Sequence, residues 1–187
     1  MASNEGNRWK GLVLGFFGGI VGLLAMRIYW QKVQQLTGHD PRTDYDESDV
    51  PDTEALDDIS VVGKQKKEGE STTAAMGRIL YDQFKGEEPG EETKSALSYL
   101  VHWLIGMSGS AVYGAMRTKA PVVDVEGSLG LATGLWLFGD ELTGPLLGLS
   151  PGPTAYPPQM HLHTWGAHVA YGVASALATQ LLYRLAP

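Results

Sequence analysis

The chain has 187 residues, a net charge of −7 and no cysteine. This length suits a single domain, and the lack of cysteine excludes disulfides, cysteine nucleophiles and thiolate metal sites. The negative charge arises between residues 39 and 70, where eleven acidic residues meet four basic ones; the remainder is balanced and offers no basic surface for nucleic acid.

The first apolar segment, residues 11–30, carries no charge before Arg27 and is long enough to cross a bilayer. Because two basic residues precede it, a signal peptide is an alternative, although the small-residue cleavage motif is missing. Its glycines recur every four residues, which favours close helix packing in lipid. They are Gly11, Gly15 and Gly19, together with Gly18 and Gly22.

Residues 31–70 are predicted to form an acidic extramembrane linker that is partly disordered. The pattern changes at residues 71–86, where apolar side chains at three- and four-residue steps predict an amphipathic helix. Ser71 or Thr72 is available as its N-cap and Gly86 as its C-cap. The helix would lie on the membrane or cover the other helices, and its lysine-poor polar face favours the second arrangement.

Three further spans are predicted at about residues 96–116, 127–147 and 161–184. We therefore expect an all-α membrane protein, a four-transmembrane-helix bundle in one membrane domain of residues 1–187. A soluble helical domain is the alternative, because the last three spans are only moderately apolar. Small residues again predict close helix packing: they are Gly106, Gly109, Gly130, Gly134 and Gly172.

The distribution of basic residues predicts the orientation of these spans. Basic residues flank the start of the first span, the end of the second and the end of the fourth, whereas residues 149–160, between the third and fourth spans, are uncharged. By the positive-inside rule, both termini are expected in the cytoplasm and the acidic loop outside. Arg27 and Lys32 at the opposite end weaken this asymmetry.

Titratable side chains are concentrated in residues 139–168, where the third predicted span ends and the fourth begins. Four alternating spans bring the end of the first and the start of the second to the same face. Because a charged group inside a bilayer costs about 2.5–3.5 kcal/mol on insertion scales, we expect such groups to face one another. The predicted buried polar cluster consists of Arg27, His102, Asp140, Glu141 and His168.

Plainer roles for these side chains are also consistent with the sequence. The acidic pair could end the third span in contact with water, and each histidine could bond a backbone carbonyl across a helix contact. Three further residues are assigned to the membrane interface as secondary positions: His161, His163 and Trp165.

Three runs carry a resemblance to a known family: "LWLFGDELTGPLLGLSPGPTAYP", "HVAYG" and "VHWLIGMSGSAVYGA". They resemble the YagU-like family of small bacterial inner-membrane proteins, over most of residues 72–183 and the glycine-rich first span. The resemblance implies an integral protein of the inner membrane, related to a prototype associated with acid resistance. It implies that Asp140, Glu141, His102 and His168 are the family's polar positions, and it implies no known reaction.

Three classes of function follow as hypotheses. The first is a non-enzymatic multi-pass membrane protein in which a histidine and carboxylate cluster responds to acid, because histidine changes charge near neutral pH. The second is an accessory or structural subunit of a larger membrane complex. The expected partners are the lipid bilayer and either further copies of this chain, as a homo-oligomer, or a larger membrane complex. The third is metal or haem binding through His102 and His168 with a carboxylate. No cofactor is predicted, because the spacing matches no specific site, and the missing enzyme motifs predict no enzyme.

Overall fold

The computed structural model describes residues 7–42 and 56–186. All regular structure in these ranges is helical, which confirms the expected all-α class. The elements are α1 (Arg8–Thr37), α2 (Thr72–Lys85), α3 (Glu91–Met116), α4 (Val125–Gly134), a π-helical segment (Leu135–Thr143), α5 (Gly144–Leu146), a 3₁₀ turn (Pro153–Ala155) and α6 (Pro158–Leu185).

Local sequence explains where the first two helices begin and end. The Asn7 side chain accepts a hydrogen bond from the backbone of Lys10, and Gly38 ends α1 with a φ of 75°. Residues 31–37, assigned to the linker, therefore continue this helix. At α2 the predicted caps are used, since Ser71 accepts from the third residue of the helix and Gly86 adopts a φ of 72°.

In the part of the chain that the structure describes, one helix meets the length and composition required to cross a membrane. It is α1, whose most apolar window has a mean hydropathy of 2.0 and is 39% buried. Two of the other predicted spans fall within α3 and within α6, and the third, residues 127–147, ends one residue beyond the helical run of residues 125–146. A buried core helix of a soluble protein or a signal sequence would also meet this criterion.

The chain divides into two compact units. The first contains residues 1–44, 105–136 and 162–187 and so includes α1, the second part of α3, α4 and most of α6. Here the predicted glycine contacts are present. A side chain on Gly15 would collide with the carbonyl of Ser110 on α3, and one on Gly22 would collide with Ser175 on α6.

The remaining glycines predicted to pack behave in two ways. Gly11 and Gly19 also meet α3, Gly18 meets Thr179, Gly106 meets Leu23, Gly109 meets Leu135, and Gly172 meets Ser128. By contrast, Gly130 and Gly134 have no atom close enough to touch an added side chain among the described residues, so their predicted packing role is absent within this chain. They lie on the side of α4 that turns away from Ser128 and Ala132, the buried residues of that helix.

The second unit contains residues 45–104 and 137–161. Helix α2 packs its small-residue face against α3, where Gly77 lies against Leu97. Residues 56–70, which the sequence assigns to a linker, have a defined conformation and form backbone hydrogen bonds with residues 146–152. Residues 43–55 of that linker lie outside the described ranges.

Candidate functional site

The acidic pair Asp140 and Glu141 lies on the π-helical segment, where the sequence predicts a continuous span. π-Helical turns are rare and are frequent at functional sites. Pro145 provides a physical reason, because a proline ring collides with the carbonyl four residues earlier, which here belongs to Glu141. Widening the turn moves that carbonyl away from the ring.

Glu141 meets His161 in the second unit. The His161 Nδ1 and Glu141 Oε1 atoms are 2.7 Å apart, and the two side chains retain 24% and 14% of their exposure. When Glu141 is ionised, the Nδ1–H donates to the carboxylate. The ring of Tyr156 meets the imidazole edge to face, with centroids 6.3 Å apart.

The two partners come from opposite ends of a compact connector, residues 144–157. Gly144, Pro145, Gly148, Leu149, Gly152 and Pro157 are buried within it. The connector ends at the start of α6, whose first turn carries His161. The structure thus brings together two residues that the sequence predicts in different places, Glu141 in the buried polar cluster and His161 at the membrane interface.

The other members of the predicted cluster are divided between the two units. Arg27 and His168 belong to the first unit, whereas His102 and Asp140 belong to the second. Arg27, His102 and Asp140 are exposed and His168 is half-buried, so none of these four side chains is fully buried in the described structure. The rise of a helix determines how deep a residue lies, but the rotation of that residue about the axis decides which way it faces.

His163, Trp165 and His168 of α6 make local contacts in the first unit. His168 Nδ1 lies 2.9 Å from the carbonyl of Thr164 on its own helix, whereas the plainer role expects a carbonyl across a helix contact. His163 Nδ1 lies 3.4 Å from the hydroxyl of Tyr29. Trp165 Nε1 donates to Thr133 at 3.2 Å. These three positions therefore tie α6 to its own turn, to α1 and to α4.

Sequence reasoning missed a polar network around Asp124 in the first unit. Its carboxylate accepts two hydrogen bonds from Arg117, at 2.8 and 2.7 Å, and one from the Tyr113 hydroxyl at 2.9 Å. Gln180 of α6 donates to the Arg117 carbonyl at 2.8 Å. The Arg117 hydrogen bonds lower the pKa of Asp124 to about 2. Asp124 is the N-cap of α4, accepting from the backbone of Gly127, and capping rules would have identified that part of its role.

A second missed network surrounds Glu70 in the second unit. The side chain is 1% exposed and accepts from Arg78 Nε at 2.7 Å, from Arg78 Nη2 at 3.0 Å and from the backbone of Lys67 at 2.9 Å. Lys94 Nζ lies 3.5 Å away. The hydrogen bonds from Arg78 lower the pKa of Glu70 to about 2. No periodic pattern links these positions, so the sequence offers no direct indication of the contact.

Neither unit brings metal ligands together in the described ranges. Within residues 7–42 and 56–186, no three histidine or acidic side chains are grouped as they would be around a metal ion. His102 and His168, the ligands of the metal or haem hypothesis, belong to different units. The Glu141–His161 pair is therefore the candidate site that the geometry supports.

Comparison of the chain with protein-family models, with curated proteins and with solved structures finds no match.

Proposed function

We propose that the chain is a small, non-enzymatic, multi-pass protein of the bacterial inner membrane in which the Glu141–His161 pair responds to acid. Its four spans would be α1, α3, the helical run of residues 125–146, and α6. The contact of 2.7 Å between the imidazole and the carboxylate carries this proposal. The resemblance to the YagU-like family, with its link to acid resistance, agrees with it.

The distribution of apolar side chains supports a membrane location. Large apolar residues point outward along the three long helices, whereas small and hydroxyl-bearing residues fill the interior of the first unit. A water-soluble protein rarely exposes so many large apolar side chains along its long helices, but lipid solvates them well. The exposed residues are Val13, Phe17, Val21, Leu24 and Ile28 on α1, Leu100, Leu104, Ile105 and Val112 on α3, and Val173, Leu177 and Leu181 on α6.

The chemistry of the pair supports a response to acid. An ionised glutamate and a protonated histidine attract each other, and acid that protonates the carboxylate removes this attraction. Histidine is the side chain that changes charge closest to neutral pH. Because both partners are largely shielded from water, the loss of the attraction would be felt by the connector between them.

The proposed topology places the pair where acid arrives first. Four alternating spans put the end of the third and the start of the fourth on the same side as the acidic loop. The positive-inside rule puts that side outside the cytoplasm. External acid would therefore reach the carboxylate and the imidazole without crossing the membrane.

Charge-removing substitutions at the pair test the proposal. We expect that Glu141→Gln and His161→Gln each abolish the contribution of the protein to survival in acid while leaving its membrane abundance unchanged. Survival of a deletion strain carrying each variant, after exposure to low pH, is the measurement. Glu92→Gln and His39→Gln are matched controls, because both side chains are exposed and lie outside the pair. Equal survival of the pair variants and the wild type would refute the acid response.

One observation favours a second candidate, an accessory subunit of a larger membrane complex. Gly130 and Gly134 repeat a four-residue spacing on a side of α4 with open space, and Phe138, two-thirds exposed, follows them. Such a surface allows close approach of another helix. Purification in mild detergent, with mass spectrometry of the co-eluting proteins, distinguishes the two. A stoichiometric partner lost in Gly130→Leu supports the subunit, whereas a lone chain or homo-oligomer contradicts it.

A further inference from the structure

Residues 56–70, which we call the strap, lie along the connector within the second unit. The strap forms hydrogen bonds with the connector at several points along its length. Val61 N donates to Leu146 O at 3.0 Å, Gln65 N and Lys66 N donate to Gly148 O at 2.9 Å, Gly152 N donates to Asp57 O at 2.7 Å, and Thr154 Oγ1 donates to Asp57 Oδ1 at 2.6 Å. Most of these bonds join backbone groups, so they depend on the path of the chain more than on side-chain identity.

Two glycines of the connector permit this close approach. Gly148 has a φ of 65°, a conformation that favours glycine, and a side chain there would collide with the carbonyl of Gly63. A side chain on Gly152 would collide with the carbonyl of Leu56. The strap and the connector are thus in backbone contact at two separate positions.

The far end of the strap is held by a different interaction. Glu70 is its last residue, and its buried carboxylate is bound by Arg78 of α2 with Lys94 of α3 nearby. The strap is therefore fastened at Glu70 by an ion pair and along residues 57–66 mainly by backbone hydrogen bonds. Loosening these backbone contacts would leave it attached at Glu70.

The connector links the two partners of the Glu141–His161 pair. It begins directly after Thr143, the last residue of the π-helical segment that carries Glu141, and it ends shortly before His161 in the first turn of α6. Its own regular structure is limited to α5 and one 3₁₀ turn. The strap supplies backbone partners that the connector lacks, and so limits the positions that its two ends can adopt.

We propose that the strap is a releasable clamp that holds the connector in the conformation in which Glu141 contacts His161. A role of this clamp in the response to acid rests on the proposed function of the pair. The dependence of the Glu141–His161 contact on the strap does not rest on that function.

Proline substitutions in the strap test the clamp without altering the connector. Val61→Pro with Gln65→Pro removes two backbone donors to the connector. Glu68→Pro is the matched control. Residues 67–70 form a turn in which Glu70 N donates to Lys67 O and Gly69 has a φ of 74°. Proline is favoured at the second position of such a turn, which Glu68 occupies. Faster tryptic cleavage after Lys66, a site that none of these substitutions places directly before a proline, reports release of the strap.

A double-mutant cycle of Glu141→Gln and His161→Gln measures the contact. With the strap intact or with Glu68→Pro, we expect the two shifts in melting temperature to be non-additive by about 2 °C. With Val61→Pro and Gln65→Pro, we expect additivity. Because the chain has no cysteine, a disulfide between Asp57→Cys and Thr154→Cys can refasten the strap in that variant, and it should restore non-additivity.

The clamp would be refuted if the strap is released while the shifts in melting temperature of Glu141→Gln and His161→Gln remain non-additive. It would also be refuted if these shifts become additive in Glu68→Pro. If the double proline variant does not fold, Thr154→Val removes one donor while keeping the shape of the side chain, and the same cycle applies. The acid-survival assay remains a separate readout. Wild-type survival of Glu141→Gln would reject the proposed function, even where the cycle shows that the strap holds the pair.

Discussion

Each of the two units is stabilised internally by a different kind of contact. In the first unit, helices meet over glycines and small hydroxyl residues, and Ser110, Ser175 and Thr179 are almost completely buried. In the second unit, the strap is fastened by backbone hydrogen bonds and by the Glu70–Arg78 ion pair. The contacts between α1 and its neighbouring helices in the first unit thus depend on the absence of side-chain bulk, whereas the strap of the second unit depends on the pairing of polar groups.

Under the proposed function, this difference separates the contacts that stabilise the fold at every pH from the contacts that would respond to acid. Contacts between glycine-lined helices do not change with pH, because they contain no group that titrates in the ordinary range. The Glu141–His161 pair and the strap are located in the second unit. Under the proposed acid response, the part that changes with pH would therefore lie in the second unit.

The largest effect is expected from breaking the ion pair of the second unit. Arg78→Met leaves the buried Glu70 carboxylate without its guanidinium partner and should lower the free energy of unfolding by about 3–5 kcal/mol. Thermal unfolding in detergent, followed by circular dichroism, checks this. Lys85→Met on the same helix is the control, because Lys85 is exposed. Adding Glu70→Gln to Arg78→Met should recover part of the loss; a single variant as stable as the wild type would contradict this account.

A smaller effect is expected from adding bulk to the first unit. Gly15→Ala places a methyl group against the carbonyl of Ser110 and should cost about 1–3 kcal/mol, because the helices must move apart. Gly134→Ala is the matched control, since the space around Gly134 is open and alanine favours a helix. Comparable unfolding temperatures for the two variants would show that the glycine contacts do not hold the first unit together.

The smallest effect is expected from mild acid acting on Glu70. A carboxyl group whose pKa is lower in the folded state stabilises the fold above its unfolded pKa, and this contribution is lost as the pH falls through the folded pKa. For Glu70 the window runs from the ordinary value of 4.5 down to about 2. The difference in melting temperature between wild type and Glu70→Gln should therefore stay constant from pH 7 to 5.

Below pH 4.5 this difference should shrink, because protonation of the wild-type carboxyl group removes the same charge as the substitution. Asp124 has a similarly lowered pKa, with a window from 3.8 to about 2, and Asp124→Asn extends the measurement to the first unit. A difference that vanishes between pH 7 and 5 would show that Glu70 is not held by Arg78 as the structure describes.

Much of the first unit could be predicted from the sequence. The four-residue glycine ladder of α1 predicts close contacts, and Gly11, Gly15 and Gly19 make them with α3. The same spacing at Gly130 and Gly134 leads to no contact within the described part of the chain. A spacing shows that one face of a helix is small, but it does not show whether another helix covers that face.

The candidate site was only partly predictable. The sequence indicates Glu141 through its acidic pair and its position before Pro145, yet it assigns His161 to the interface. The contact arises because the π-helical segment turns Glu141 toward the first turn of α6 across a folded connector. Helical periodicity assumes 3.6 residues per turn, so a π-helical stretch shifts every side chain that follows.

The sequence by itself determined the helical class, the caps of α2 and the small-residue faces of α1, because each depends on neighbours within one or two turns. Only the tertiary structure decided that Glu70 pairs with Arg78, that the strap lies on the connector and that Glu141 meets His161. These contacts depend on the path of the backbone between distant segments. No local pattern in the sequence encodes that path.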